Sequence, residues 1–345
     1  MLLAAGFGGR MVPITFFRAK PVLPFMNRPL LLRQIDYLSK AGVDEIVVNL
    51  HHRPASILSL LRDAAGGLRG HRAGEDLRLG DVTVHISREP AILGTSGGVR
   101  AAADHFKGSG TFLCVNSDVV SDIDLAAAIE THRRAGRAAT LVLRPAPANS
   151  GYTAVWHDGK ILRGFGRDDA PSGSCSGAGI FTGIHLLEPE VLDHLPDGRS
   201  EFVPDLYRPM IAAGDHPAVH VSTGDWHEVG TPERYLAAHR AVRPDGPVLG
   251  AGCRIASGAR LEPDAILGKH VRVQAGTRIE ASVVMDGASI GEQSRLRQVI
   301  VGPGTDIPAG LSLERVVVDG GHPDAEIPPT RRSVALRDGL WHASF

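Results

Sequence analysis

The sequence predicts an α/β chain that begins with a mixed, mostly parallel sheet covered by helices and continues as a short parallel β-helix. Up to about residue 145, apolar runs typical of buried strands alternate with segments of helical spacing. From about Val248 an aliphatic residue recurs every six positions, a period that is wrong for a helix and right for stacked coils. At 345 residues the chain also exceeds one ordinary core, so we expect two domains.

The first part is expected to be Rossmann-like, because strands and helices alternate along it. After the apolar residues 1–5, strands are predicted at 45–50, 82–87, 111–118 and 139–144. Helices are predicted at 29–42, 54–65, 97–106 and 124–136, where glycine or proline marks the ends. Ligands of such sheets bind beyond the carboxyl ends of the strands, where a glycine-rich loop at 6–9 and the end of the strand at 111–118 would lie.

The six-residue period holds through most of residues 248–311, which weakens the alternative of ordinary hairpins. We therefore predict a first domain at residues 1–243, a β-helix of hexapeptide repeats at 244–315 and a tail at 316–345. After Pro328 the tail has no clear period. We expect it either to pack on a partner as an arm or to stay loose.

The charge balance gives no bulk attraction for nucleic acid or an acidic membrane, because 37 lysines and arginines accompany 38 aspartates and glutamates. Cys114, Cys175 and Cys253 stand far apart, without the spacing of a zinc site or a disulfide framework, which favours a reducing compartment. No apolar run approaches the ~18 residues of a membrane helix. We expect a cytoplasmic protein without nucleic-acid or membrane partners.

A glycine-rich stretch, AAGFGGRMVPITFFRAKPVLP at residues 4–24, follows the first apolar run. Its glycines permit close approach of backbone N–H groups to an anion, while Arg10 offers a fork of donors and Lys20 a mobile charge. A dinucleotide fingerprint would need glycine where Met11 stands, and a P-loop would need Gly-Lys-Ser/Thr, which is absent. The stretch therefore indicates a triphosphate-binding loop, with a plain glycine-rich turn as the alternative.

The ordered series Arg10, Pro13, Thr15, Lys20 and Pro21 closely resembles the opening signature of the sugar-1-phosphate nucleotidylyltransferases. Within that family the chain looks like the mannose-1-phosphate guanylyltransferases that carry a C-terminal left-handed β-helix. The resemblance implies triphosphate binding by the loop residues Ala5, Gly6, Gly8, Gly9 and Arg10, and a place for Lys20 over the reacting phosphates. Relatives usually have a few more residues before this strand, so we expect the true start upstream of Met1.

Carboxylates follow two predicted elements in the positions where this family holds a metal ion. Asp118 ends a buried strand, where a magnesium ligand belongs, whereas Asp122 and Asp124 fit a turn or a helix cap better. Glu228 stands in "WHEVGTP", where relatives commonly have aspartate, and Asp225 is a nearby substitute. The resemblance thus implies Mg²⁺ held by Asp118 and Glu228.

Small residues at Gly94, Thr95 and Gly97 match the segment that lines the nucleobase and ribose in this family, with a glycine-rich helix start as the plain alternative. On the sugar side, Thr182 and Gly183 match a segment near the sugar. The Glu-Lys-Pro run of many relatives is missing, so Arg167 is the candidate phosphate anchor, although a solvated loop arginine is an equal alternative. The scattered histidines receive no role.

The resemblance implies an enzyme that transfers a nucleotidyl group from a nucleoside triphosphate to a sugar-1-phosphate, with Arg10, Lys20 and Asp118 as catalytic residues. GTP with mannose-1-phosphate is the first expectation, and a related hexose or heptose phosphate, or UTP or dTTP, stays open. Two rivals remain. One is a silent subunit that binds nucleotide-sugar. The other is a bifunctional enzyme whose β-helix transfers acyl groups. The β-helix is short and has a single histidine, His270, which makes acyl transfer the weaker alternative. We expect the β-helix to serve as a scaffold for homo-oligomers rather than as an acyltransferase.

Overall fold

The computed structural model describes residues 1–66, 76–145, 151–167, 169, 177–321, 330 and 332–345. The predictions for Cys175 and for Pro328 fall outside these residues. The chain divides into two compact units. Unit 1 comprises Met1–Gly6, Gln34–Pro54 and Leu58–Trp226, and unit 2 comprises Phe7–Arg33, Ala55–Ile57 and His227–Phe345.

The helices and strands follow the chain in this order. The α-helices are α1 (Ile14–Phe17), α2 (Leu30–Lys40), α3 (Pro54–Ala64), α4 (Gly94–Ala101), α5 (Leu125–Ala135), α6 (Arg208–Ala212) and α7 (Pro232–Val242), and short 3₁₀ or π turns lie at Lys20–Val22, Ala103–His105, Pro189–His194 and Val203–Tyr207. The strands up to α7 are β1 (Leu2–Leu3), β2 (Pro24–Phe25), β3 (Arg28–Pro29), β4 (Glu45–Leu50), β5 (Leu77–Leu79), β6 (Val82–Arg88), β7 (Phe112–Asn116), β8 (Val119–Ser121), β9 (Ala139–Pro145), β10 (Ala154–His157), β11 (Leu162–Phe165), β12 (Gly177–Leu187), β13 (Ala218–Val221) and β14 (Trp226–Glu228). The later strands are β15 (Val248–Leu249), β16 (Arg254–Ile255), β17 (Arg260–Leu261), β18 (Ile266–Leu267), β19 (Arg272–Val273), β20 (Arg278–Glu280), β21 (Val283–Val284), β22 (Ser289–Ile290), β23 (Arg295–Val301), β24 (Asp306–Ile307), β25 (Ser312–Asp319), β26 (Ala335–Arg337) and β27 (Leu340–Ser344).

Unit 1 is built on a mixed sheet with the strand order β11-β10-β12-β7-β1-β4-β6-β5, to which β9 and β13 are attached through β12. Its centre is parallel, because β1 pairs in parallel with both β4 and β7 and β4 pairs in parallel with β6. Strand β12 is antiparallel to β7, β9 and β10. Rossmann-like alternation with a parallel sheet centre is thus confirmed.

The local sequence explains these elements. Strand β4 is buried along all but its first residue, which is why it reads as a continuous apolar run and is typical of a sheet covered on both faces. Helix α5 begins at Asp124, whose carboxylate accepts from the Ala127 N–H at 3.0 Å, and ends at Gly136, whose φ is +57°. The prediction that Asp124 is a cap is confirmed.

The second part of unit 2 is a stack of parallel coils. Val248 pairs with Ile266, Ile266 with Val283 and Val283 with Ile300, so each coil uses 18 or 17 residues, about three hexapeptides. The apolar residues of the repeat point inward and form one buried core, which includes Leu267, Ile279, Ile290, Leu296, Val301 and Val318. The predicted parallel β-helix is confirmed.

The end of the chain differs from the prediction of a loose or partner-bound arm. Strand β27 pairs antiparallel with β25, the last long strand of the β-helix, and β26 pairs with β27. The sequence has no period here because an antiparallel hairpin adds two single strands rather than another coil. Among the described residues, no helix is both long and apolar enough to cross a membrane.

Candidate active site

The glycine-rich loop of unit 2 is closed by its own backbone. The Gly8 carbonyl accepts from the Met11 N–H at 2.8 Å and from the Thr15 hydroxyl at 3.0 Å. Gly8 has a φ of +65°, and a Cβ at this position would lie 2.8 Å from the Thr15 methyl and 3.3 Å from the Lys20 Cβ. A side chain is excluded here by both conformation and space. The loop therefore brings Gly8 and Lys20 together.

Arg10 lies on this loop with its side chain 57% exposed, and its Nη2 donates to Glu228 Oε1 at 3.0 Å. The second carboxylate oxygen, Glu228 Oε2, accepts from Nη1 of Arg234 on α7. A Cβ on Gly230 would lie 2.2 Å from Glu228 Oε1 and 2.6 Å from Arg10 Nη2. The structure thus joins two predicted site residues, Arg10 and Glu228, and adds Arg234, which the sequence did not single out.

Helix α7 also holds the hairpin of β2 and β3, which follows Lys20 in the chain. The buried His239 accepts from the Met26 N–H through Nε2 at 3.1 Å, and its Nδ1 lies 2.8 Å from the Tyr235 carbonyl. The Tyr235 hydroxyl donates to the Pro24 carbonyl. Because His239 is enclosed, burial lowers its pKa to about 4 and the ring stays neutral at pH 7.

At the carboxyl edge of the unit 1 sheet, two predicted residues come from neighbouring strands. Leu3 of β1 pairs with Asn116 of β7, so Ala5 and Asp118, each two residues farther along, leave the sheet at the same edge. The Ser117 hydroxyl ties them together by donating to the Leu3 carbonyl at 2.6 Å. The half-buried Asp118 is thereby placed where the sequence predicts a carboxylate.

A series of buried hydrogen bonds supports the same edge of the sheet. Asn49 Oδ1 accepts from the Ala4 N–H at 2.6 Å, and Asn49 Nδ2 donates to Glu89 Oε1 at 2.6 Å. Glu89 Oε2 in turn accepts from the Leu93 N–H at 3.1 Å, directly before helix α4. Asn49 and Glu89 are 2% and 5% exposed, so these hydrogen bonds are made away from water, where leaving them unmade would be costly.

The predicted base-binding segment lies at the start of α4 and packs on residues 198–201. A Cβ on Gly94 would lie 2.3 Å from the Ser200 carbonyl oxygen, and one on Gly97 would lie 2.3 Å from the Gly198 carbonyl oxygen. The Thr95 N–H and hydroxyl both donate to Glu201 Oε2, at 3.1 and 2.6 Å. These glycines are thus required by the protein's own backbone, and their role toward a nucleobase stays a prediction.

The sugar-side candidates occupy a bulge of β12. Between Phe181 and His185 the register with β9 shifts, because four residues of β12 span two of β9. Thr182 is fully buried, with its hydroxyl donating to the Val142 carbonyl at 2.7 Å. Gly183 has a φ of +78° and faces Asn116, and Arg167 is exposed. Thr182 shapes the strand through its hydroxyl, so its role toward a sugar stays a prediction, as do those of Gly183 and Arg167.

The described residues contain no group of three or more histidine, cysteine, aspartate or glutamate side chains that could hold a metal ion. Mg²⁺ in proteins is usually bound through one or two carboxylates together with water and substrate phosphates. Asp118 in unit 1 fits such a ligand. Glu228 in unit 2 has each carboxylate oxygen bonded to a guanidinium group, so it would have to exchange one of these bonds to reach a metal ion.

Residues 1–244 match the family described as nucleotidyl transferase. The chain belongs to this family. Residues 246–326 of the nucleotidyltransferase match the GMPPB C-terminal domain, in the region of the stacked coils. The resemblance drawn from the opening signature is therefore confirmed. The protein is an enzyme that transfers a nucleotidyl group from a nucleoside triphosphate to a sugar-1-phosphate, and its family generally uses a divalent metal ion.

Named relatives cover almost the whole nucleotidyltransferase. It is 28% identical over 339 residues to the probable mannose-1-phosphate guanylyltransferase 1 of Oryza sativa subsp. japonica, with 93% of this chain and 90% of the relative covered. It is also 28% identical over 374 residues to the UTP–glucose-1-phosphate uridylyltransferase of Synechocystis sp., with 93% and 94% covered. In fold it is similar to HddC from Yersinia pseudotuberculosis, with a TM-score of 0.56 and 19% identity over 69% of this chain and 96% of that one.

Proposed function

We propose that this nucleotidyltransferase makes GDP-mannose and pyrophosphate from GTP and mannose-1-phosphate. The observation that carries the reaction type is the loop of unit 2, where Gly8 packs against Lys20 and Arg10 presents a largely exposed guanidinium. The choice of GTP and mannose-1-phosphate is supported by relatives named as mannose-1-phosphate guanylyltransferases. The uridylyltransferase relative makes UTP with glucose-1-phosphate the second pair to examine.

In the proposed reaction, a phosphate oxygen of the sugar-1-phosphate attacks the α-phosphorus of the triphosphate, and the bond from that phosphorus to the β-phosphate bridging oxygen breaks. The electron pair leaves with pyrophosphate. Because the attacking oxygen is already an anion, no general base is needed. Catalysis then consists of alignment and charge neutralisation.

The roles of the individual residues follow from charge and position. Backbone N–H groups of the loop at Gly8 and Gly9 bind phosphate oxygens, and Arg10 stabilises the departing pyrophosphate. Lys20, beside Gly8, offsets the charge that develops at the α-phosphorus. Asp118 would hold Mg²⁺, whereas Glu228, which the sequence predicts as the second ligand, is bonded to two guanidinium groups and would orient Arg10. The metal ion would supply further charge neutralisation at the phosphates.

The other predicted features complete the proposal. Gly94, Thr95 and Gly97 contact the base and ribose, while Gly183 and Arg167 contact the sugar phosphate. The chain comprises a catalytic domain at 1–243, a β-helix at 244–315 and a tail at 316–345. The β-helix joins copies of the chain into a homo-oligomer in the cytoplasm.

The test is pyrophosphate release with Mg²⁺ across GTP, UTP, dTTP, CTP and ATP, each paired with mannose-, glucose- and heptose-1-phosphates. The expected result is one strongly preferred pair, GTP with mannose-1-phosphate. Preference for another pair would contradict the proposed substrates but would support the proposed type of reaction. Binding of nucleotide-sugar without turnover of any pair would favour a regulatory subunit, and turnover at the wild-type rate by Lys20→Ala would overturn the role of that lysine.

A further inference from the structure

The end of the chain returns to the glycine-rich loop through a polar contact. The Thr330 hydroxyl donates to the Gly9 carbonyl at 2.9 Å, across 321 positions of sequence. The same hydroxyl oxygen accepts from the Arg332 N–H at 3.1 Å, which fixes its orientation. The carbonyl it holds belongs to the residue directly before Arg10.

Arg332 makes the second contact, toward helix α7. Its Nη2 lies 3.1 and 3.2 Å from the two carboxylate oxygens of Glu233, and its Nη1 donates to the Ser344 carbonyl at 3.0 Å. Glu233 stands in the first turn of α7, five positions after Glu228. The Arg332 side chain is only 20% exposed, and its guanidinium group is bonded on both sides, to Glu233 and to Ser344.

The contacts of Thr330 and Arg332 lie next to the two partners of the Arg10–Glu228 ion pair. Arg10 and Glu228 are 3.0 Å apart, and Thr330 binds the backbone next to Arg10 while Arg332 binds the helix that follows Glu228. An apolar cluster of Val12, Phe16 and Ala343 separately packs strand β27 on helix α1 and the residues just before it. Loss of the polar contacts therefore leaves the apolar attachment of the tail in place.

We propose that Thr330 and Arg332, which we name the tail clamp, are positioning residues that hold Arg10 and the glycine-rich loop ready for the triphosphate. The inference rests on the proposed function, since it assigns the loop to the nucleotide. A loop fixed before binding loses less conformational freedom when the nucleotide enters, so the clamp lowers the KM for the nucleoside triphosphate. The polar contacts of the clamp go to Gly9, Glu233 and Ser344, so the KM for the sugar-1-phosphate is expected to be independent of it.

The experiment compares Thr330→Val, which removes the hydroxyl, with Thr330→Ser, which keeps it, and Arg332→Ala with the exposed control Arg337→Ala. Hydrogen exchange of the peptide that covers residues 6–14 reports the loop, and steady-state kinetics report each KM and kcat. Thr330→Val and Arg332→Ala are expected to raise loop exchange and to raise the KM for the triphosphate roughly five- to twentyfold. Thr330→Ser and Arg337→Ala are expected to behave like the wild type, and the KM for the sugar-1-phosphate stays within about twofold in all variants.

The outcomes separate this inference from the proposed function. If the wild type turns over no substrate pair, the proposed function fails, while loop exchange still decides whether the clamp orders the loop. Unchanged loop exchange in Thr330→Val and Arg332→Ala overturns the inference, whatever the activity. It is also overturned if Thr330→Ser is as impaired as Thr330→Val, or if both values of KM rise together, since either result would indicate a general loss of structure.

Discussion

Glu228 is a carboxylate between two guanidinium groups, and this arrangement decides what it can do. Its Oε1 accepts from Arg10 and its Oε2 from Arg234, and only 14% of the side chain is exposed. Two positive charges next to one carboxylate compete with a metal ion for the same lone pairs. Glu228 is therefore better suited to orient Arg10, while Asp118 is better suited to bind the metal ion.

The magnesium dependence of activity distinguishes these two roles. Asp118→Asn is expected to raise the half-saturating Mg²⁺ concentration at least about tenfold, because an amide is a weaker ligand than a carboxylate. Glu228→Gln is expected to lower kcat/KM roughly 10- to 100-fold, because a neutral amide cannot hold two guanidinium groups, and to leave the Mg²⁺ dependence unchanged. The measurement is initial rate against Mg²⁺ concentration after treatment with EDTA.

Asp124→Asn is the matched control, because asparagine caps a helix as well as aspartate does. It should leave both the rate and the Mg²⁺ dependence at wild-type values. A shift of the Mg²⁺ dependence in Glu228→Gln as large as that in Asp118→Asn would contradict the assignment and restore Glu228 as a metal ligand.

Some residues of the candidate site could be predicted from the sequence and others could not. Arg10, Lys20 and Asp118 were predicted as site residues because each stands in a local motif. Arg234, Asn49 and Glu89 were missed, because their roles depend on partners far away in sequence, such as the 40 positions between Asn49 and Glu89. A buried asparagine at the end of the apolar strand β4 was the available signal, since a polar group in such a place needs a partner.

The stability of the protein should fall in mild acid through His239. Burial lowers its pKa to about 4, below the ordinary value of 6.5, so the native state resists protonation while the unfolded chain does not. The stabilisation is complete above pH 6.5 and is lost progressively as the pH falls from 6.5 through about 4.

We therefore expect His239→Gln to show a smaller loss of unfolding free energy than the wild type between pH 7 and pH 4.5. Urea unfolding at several pH values measures it, with the exposed His194→Gln as the matched control. If the unfolding free energies of His239→Gln and the wild type fall in parallel with pH, His239 is not the cause of the loss of stability in acid.

At the scale of elements, the start of helix α4 depends on a carboxylate from another segment. Glu201 accepts from the Thr95 N–H and hydroxyl across 106 positions of sequence, so the cap cannot be recognised from the helix itself. The sequence located this helix three residues late, at 97–106, because Gly94, Thr95 and Ser96, which begin it, are weak helix formers. A cap from a distant carboxylate and close packing on residues 198–201 overcome that propensity.

Glu201→Gln should weaken this element. The amide keeps one acceptor but loses the negative charge at the positive end of the helix, and we expect a loss of about 0.5–2 kcal/mol in unfolding free energy. Chemical denaturation measures it, and Glu190→Gln, an exposed position, is the control. Equal midpoints for the two variants would show that the Glu201 charge does not stabilise the helix.

At the scale of the whole molecule, the period-six pattern predicted the coils because every coil repeats the same inward positions. The chain's end was predicted wrongly, because β26 and β27 occur once and are specified by tertiary contacts. One such contact is the packing of Ala343 in β27 on Val12 and Phe16. A neighbouring contact pairs Arg18, directly after α1, with Asp319 at the end of β25, the strand that pairs with β27. Asp319 is 1% exposed, and burial raises the pKa of its carboxyl while Arg18 opposes that rise.

Arg18→Met tests how far this pair holds unit 2 together. It leaves a buried carboxylate without its cation, and we expect a loss of about 3–5 kcal/mol in unfolding free energy at neutral pH. A group with a raised native pKa is most stabilising in its protonated form at low pH, and that contribution is lost as the pH rises through the native pKa. The loss of unfolding free energy in Arg18→Met should therefore become smaller as the pH falls and Asp319 takes up a proton.

The double variant Arg18→Met with Asp319→Asn removes the buried charge and should recover much of the lost unfolding free energy. Additive losses across the double-mutant cycle would mean that the two side chains act independently.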